Sequence, residues 1–158
     1  MAVDYDLVEL SPQATAVVRT RTTIDEISTF FDKAFHAIMA QLTAEGIQPV
    51  GPPFGYYPAQ PAGTFELAAG FPVASPITGN DEVEPDELPG GRAVVAIHLG
   101  PYETMEATYT DLIATLGADG VELAGNMWEL YLTDPSAEKD PSHWKTGIVW
   151  PTARSRRR

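Results

Sequence analysis

An internal repeat constrains this chain more than any other feature. Moving its first half forward by 74 positions lays Phe31 on Met105, Phe35 on Tyr109, Ile38 on Leu112, Met39 on Ile113 and Leu42 on Leu116. The same shift lays Gly46 on Gly120, Ile47 on Val121, Gly51 on Gly125 and Tyr57 on Tyr131. An apolar helical stripe can recur by chance, but glycines and a tyrosine recurring at one offset narrow the choice. Each half carries a helical stripe flanked by segments with strand character. The expected fold is α+β: two β-α-β-β repeats that share one antiparallel sheet, with two helices on one face and a ligand cleft on the other.

The local signals agree with that plan. Val3 to Leu10 and Ala14 to Thr20 read as strands. Thr23-Ile24-Asp25-Glu26 has the form of a capping box, and a helix with stripe Ile24, Ile27, Phe31, Phe35, Ile38 and Leu42 follows it, stopping near Gly46. Thr64 to Val73 reads as a strand. Residues 74–91 hold four acids within Asp81 to Asp86, a fifth at Glu87, and several Pro and Gly, and read as a loop or linker. Arg92 to Leu99, Met127 to Leu132 and Lys145 to Trp150 read as strands, with a helix from about Glu103 to Leu116. One domain over 1–153 is expected, with repeat 1 at about 3–73, repeat 2 at about 92–151, and a basic tail at 154–158.

Composition removes whole classes of function. The 158 residues contain no cysteine, which excludes disulfides, thiol catalysis and Cys-type metal centres. His36, His98 and His143 are scattered without ligand spacing, so no metal site and no cofactor is expected. Phosphate-loop, dinucleotide and Gly-x-Ser-x-Gly fingerprints are missing. Net charge is −12, and four of the ten basic residues are Arg154, Arg156, Arg157 and Arg158. So acidic a body repels phosphate backbones, so nucleic acid is not an expected partner. No apolar run approaches the ~18 residues that span a bilayer. With no signal segment, the expectation is a cytoplasmic protein that does not engage membranes.

One position breaks the repeat. Glu129 stands where the first half has Gly55. It lies within Met127-Trp128-Glu129-Leu130-Tyr131-Leu132, which is otherwise apolar. Strand alternation puts Met127, Glu129 and Tyr131 on one side, with Trp128 and Leu130 on the other. If Trp128 and Leu130 pack on the helices, Glu129 and Tyr131 face the open side. A carboxylate among aromatics is costly unless paired. Either a ligand supplies the pairing, or Arg19, Arg92 or Lys145 on a neighbouring strand does.

Several segments together resemble a known family. They are His98-Leu99-Gly100-Pro101-Tyr102, Trp128-Glu129-Leu130-Tyr131-Leu132-Thr133-Asp134-Pro135, Lys145-Thr146-Gly147-Ile148-Val149-Trp150-Pro151 and, in the first half, Gly70-Phe71-Pro72-Val73. From Tyr5 to Pro151 the chain resembles the GyrI-like small-molecule-binding domain. That is also the effector-binding domain of AraC-type and MerR-type multidrug regulators, and it is related to the SOUL haem-binding proteins. The resemblance implies a pocket between the halves with a buried glutamate, here Glu129, in a Glu-x-Tyr-x-x-Asp-Pro pattern that includes Tyr131. Tyr57 is the repeat mate of Tyr131, and Tyr102 matches the Gly-x-Tyr turn before the second helix. With no helix-turn-helix ahead of Val3, a transcription factor is not expected, and no residue offers itself as a haem axial ligand.

Two functions follow from that resemblance. As a binding module, Glu129 with Tyr57, Tyr131, Trp128 and Trp144 would attract an amphipathic, cationic or aromatic small molecule, each desolvated ring adding ~0.5–2 kcal/mol. The unpaired carboxyl would have a raised pKa that ligand binding lowers. A protein partner such as DNA gyrase or a regulator is also implied. As an enzyme, the chain would hydrolyse cyclopropane-bearing genotoxic natural products, with Glu129 activating water and Tyr131 or Tyr57 donating to the developing oxyanion. Glu66, on a strand of the first half, is a candidate second pocket acid or a charge at the sheet edge.

Overall fold

A computed structural model describes residues 4–57, 63–133 and 137–153, without the side chains of Ile24 and Tyr102. Asp134, Pro135 and the tail 154–158 lie outside the described residues. In chain order the strands are β1 (Tyr5–Leu10), β2 (Gln13–Thr22), β3 (Phe54–Tyr57), β4 (Phe65–Pro72), β5 (Glu84–Leu88), β6 (Gly91–Leu99), β7 (Met127–Tyr131) and β8 (Lys145–Pro151). The helices are α1 (Ile27–Glu45) and α2 (Met105–Ala118). The chain divides into two compact units. One is continuous, Ser11–Gly90; the other is split, Met1–Leu10 with Gly91–Arg158.

Each unit has four antiparallel strands. The order is β3-β4-β2-β5 in the continuous unit and β7-β8-β6-β1 in the split unit. The two orders correspond strand for strand, and so does the register. Gly55 pairs with Ala69 and Ala69 with Val18; Glu129 pairs with Ile148 and Ile148 with Ala96. The helix exits match as well. Ile47 N–H reaches Leu42 O at 3.0 Å, and Val121 N–H reaches Leu116 O at 2.9 Å. Gly46 and Gly120 both take positive φ, 68° and 77°, where a side chain would be strained. Beyond them, the bridges Pro49–Val73 and Leu123–Thr152 lie at corresponding places.

In the continuous unit the stripe on α1 explains its docking. Ala34, Ile38 and Leu42 are buried against Ala16, Val18 and Ala69, with Val73, Ile77 and Val83 completing the core. Phe35 lies edge-on to Phe71, ring centroids 5.5 Å apart. The start of the helix differs from the capping-box expectation. Thr23 makes no side-chain cap bond; its carbonyl accepts from Glu26 N–H at 3.1 Å and opens a short 3-10 turn. An analogous turn, Tyr102–Thr104, precedes α2.

The segment expected to be a loop contains β5. Its acids tolerate strand geometry because, among the described residues, β5 pairs only with β2 and the acidic side chains stay exposed. Pro85 is acceptable there for the same reason, since an edge strand bonds on one side. Glu45 ties down the turn before β5, accepting from Thr78 N–H at 2.8 Å and Gly79 N–H at 2.9 Å.

Candidate functional site

The side of the split unit's sheet that carries α2 is set by contacts from both ends of the helix. Tyr5 on β1 donates to Asp119, at the C-terminal end of α2, at 2.7 Å. His98 on β6 is buried, with Nδ1 2.6 Å from Thr108 Oγ1 and Nε2 3.0 Å from both Pro101 O and Thr104 Oγ1. Those bonds satisfy its ring and brace the first turns of the helix. In register with His98 lie Thr146 and Tyr131; beside them run Ile148 with Glu129, then Trp150 with Met127.

Glu129 therefore faces the helix. Tyr109 on α2 donates to Glu129 Oε2, and Tyr131 donates to Oε1 at 3.0 Å. Tyr109 also approaches Met127 Sδ at 3.8 Å, and its ring meets Trp150 edge-on at 6.2 Å between centroids. The open-side placement expected for Glu129 and Tyr131 is thus reversed. The physical reason is the phenol on α2, which lets the carboxylate turn inward without going unpaired. A deprotonated carboxyl can only accept, and each of its oxygens accepts here. Glu129, Tyr109 and Tyr131 are all half-buried, so the group stays open to approach.

The other candidates go elsewhere. Trp128 is buried on the opposite side of β7, so it does not wall the Glu129 side. Leu130 shares that side and lies against Gly147, where an added Cβ would sit 3.3 Å from it. Trp144 donates its indole N–H to Glu138 O at 2.8 Å. Glu66 is 85 % exposed and pairs with Arg21 at 3.7 Å, so it is a surface charge rather than a second pocket acid. Tyr57 is buried in the continuous unit, on the side of β3 that carries Gly55. The side chain of Tyr102 lies outside the described residues. Arg19, a candidate partner for Glu129, is engaged by Asp86 and by Glu84 at 3.5 Å. The continuous unit also has a groove of about 200 Å³ on the side away from α1, lined by Val17, Arg19, Phe54, Tyr56, Ala68 and Asp86.

Tyr109 touches Glu129 and Trp150 touches the Tyr109 ring, and neither is among the candidate site residues read from the sequence; Tyr109 entered only as the counterpart of Phe35 in the apolar stripe. A signal for Tyr109 was present in the repeat. Its counterpart is Phe35, so the hydroxyl, like the carboxylate of Glu129 against Gly55, is peculiar to one half. Among the described residues no group of three or more potential ligands gathers to hold a metal ion, and no helix is long and apolar enough to cross a membrane.

Comparison with known proteins supplies independent constraints. The model of the GyrI-like small-molecule-binding domain matches residues 4–153. No curated protein sequence matches the chain. Among solved structures, the C-terminal domain of EcmrR superposes with a TM-score of 0.84 at 17% identity, covering 98% of this chain and 100% of that one. A hydrolase from Listeria innocua gives 0.68 at 13% identity, covering 96% and 93%. SAV2435 bound to tetraphenylphosphonium gives 0.62 at 12% identity, covering 95% and 94%. At such identities these likenesses concern the fold.

Proposed function

The chain belongs to the GyrI-like small-molecule-binding family, and on that premise we propose that it binds amphipathic small molecules carrying a cationic or strongly donating group, with Glu129 as the counter-charge. The observation that carries this reading is the Tyr109–Glu129–Tyr131 cluster. Two phenols hold the carboxylate in place, and their rings present π faces to a bound cation. A lipophilic cation leaves water readily, so its charge meets Glu129 at a small desolvation cost. That a neighbour of the same fold carries tetraphenylphosphonium supports this ligand class.

The matching strand orders and bond patterns of the two units support a duplicated β-α-β-β origin. In that history one copy kept an apolar interior, and the other acquired the site.

Titration calorimetry with tetraphenylphosphonium and rhodamine 6G tests the reading. Glu129→Gln keeps the shape and removes the charge. It should weaken binding by about tenfold or more, the value of a charge-assisted contact. Equal affinity in the two proteins would refute the role of Glu129.

Hydrolysis is the second reading, favoured by the direct phenol–carboxylate contact of Tyr109 with Glu129. Glu129 would take a proton from water as it attacks a cyclopropane-bearing genotoxic compound. Tyr131 or Tyr109 would donate to the carbonyl oxygen that gains charge as the ring opens. Mass spectrometry over many equivalents of such a compound decides it. Water-added product beyond one equivalent, lost in Glu129→Gln, makes the protein a hydrolase.

A further inference from the structure

Among the described residues, two buried polar atoms on the helix-facing side of the split unit have no hydrogen-bond partner, Thr146 Oγ1 and Trp150 Nε1. Thr146 is 0% exposed and Trp150 6%. A buried donor without a partner is costly, and native proteins seldom keep one without a use. Both residues lie on β8, one same-side position to either side of Ile148, which is the register partner of Glu129. Diagonal neighbours of this kind in an antiparallel pair are roughly 7–8 Å apart. Trp150 also touches the ring of Tyr109, whose hydroxyl holds Glu129.

The continuous unit shows that the scaffold does not require these polar atoms. Trp150 corresponds in register to Phe71, and Thr146 to Leu67. The ring pairs are equivalent too, Phe35 on Phe71 and Tyr109 on Trp150. The same interlayer thus closes with apolar groups in one unit. In the other it carries a carboxylate, a phenol, a hydroxyl and an indole N–H, and the last two are left unpaired.

We propose that Trp150 Nε1–H and Thr146 Oγ1–H, on either side of Ile148, are two uncharged donor positions flanking the Glu129 site, each reading a hydrogen-bond acceptor that the ligand places beside it. The inference rests on the binding role of Glu129 and names the ligand class more closely. An indole N–H can only donate, so its partner is an oxygen or nitrogen acceptor such as a ketone, amide or ester carbonyl. Glu129 takes the cationic or donating end at the half-buried part of the interlayer, and the acceptor lies inward. The preferred ligand is an amphipathic molecule with both features a few ångströms apart, rather than a bare lipophilic cation.

The test uses probes that differ in one group: tetraphenylphosphonium, and its derivatives with an acetyl group at the 3- or 4-position of one ring. At least one acetylated isomer should bind the full-length protein about 3- to 10-fold more tightly than the parent, the value of a hydrogen bond between neutral groups. Trp150→Phe, Thr146→Val or both should reduce the ratio of acetylated-probe to tetraphenylphosphonium affinity, each ratio being taken on one and the same protein. Thr146→Val is nearly isosteric, so its Tm should equal or exceed that of the parent protein. Full binding of tetraphenylphosphonium with no preference for either acetylated isomer overturns this inference alone. So does a preference that survives both substitutions, or a clear fall in Tm for Thr146→Val, which would mean the hydroxyl already has a partner. If none of the probes binds, the role of Glu129 fails and this inference with it.

Discussion

The coupling between Tyr109 and Glu129 can be measured without any ligand. Tyr109→Phe removes one oxygen. The ring should stay in place, because Phe35 occupies the corresponding position and packs on Phe71 as Tyr109 packs on Trp150. Glu129 then keeps the bond from Tyr131 but loses the one that Tyr109 donates to Oε2. A hydrogen bond to a charged acceptor is worth ~1.5–3 kcal/mol. Both residues are half-buried, so water recovers part of that, leaving about 1–2 kcal/mol. The cleanest readout is a double-mutant cycle of Tyr109→Phe, Glu129→Ala and both together, by urea unfolding at pH 7. With an m-value near 2 kcal/mol/M, a coupling of ~1.5 kcal/mol separates observed and additive midpoints by about 0.7 M. Additivity to within ~0.4 kcal/mol would show that the two groups do not interact, and the Tyr109–Glu129 pairing would fall with it.

Two further outcomes concern the scaffold. Backbone N–H of Thr78, the Gln41 side chain and backbone N–H of Gly79 hold the Glu45 carboxyl below its usual pKa of 4.5. Its folded value is below its unfolded one, so the stabilisation is present above the unfolded pKa and is lost as pH falls through the folded pKa. Tm between pH 7 and pH 3 should therefore drop more steeply in the parent protein than in Glu45→Gln; equal slopes would count against that tether. At Gly70 an added Cβ would meet Ala16 O, Phe54 Cζ and Val17 Cγ1, each at 2.7 Å. Gly70→Ala should cost ~1–3 kcal/mol, seen as a Tm lower by roughly 3–10 °C, and an unchanged Tm would show that the sheet can open there.

The sequence made the helices legible because stripe, terminating glycine and repeat agreed, and α1 ends at Gly46 as that reading required. It hid β5, because an exposed edge strand imposes little on its side chains, and Glu-Pro-Asp-Glu-Leu satisfies one row of bonds to β2 while looking like a linker. Alternation identified which residues share a side of β7. It could not say which side the helix covers, since both sides carry large apolar groups, Met127 and Tyr131 on one and Trp128 and Leu130 on the other. Tyr109 was concealed by its place in an apolar stripe, where the ring packs and only the hydroxyl has a second task. The unpaired atoms of Thr146 and Trp150 have no sequence signature, because satisfaction of a hydrogen bond is a property of neighbours.

The pairing of β1 with β6 also dictates an order of events during synthesis. Leu10 faces Gly91 in register, and all of residues 11–90 are made between them. At a translation rate of about 5–20 residues per second, the first strand waits roughly 4–16 s for its partner to leave the ribosome. The continuous unit can close meanwhile, since its own end strands, β2 and β5, are already in contact. Tyr5-Asp6-Leu7-Val8-Glu9-Leu10 spends that interval without its partner strand, and the charges of Asp6 and Glu9 disfavour its pairing with another apolar edge.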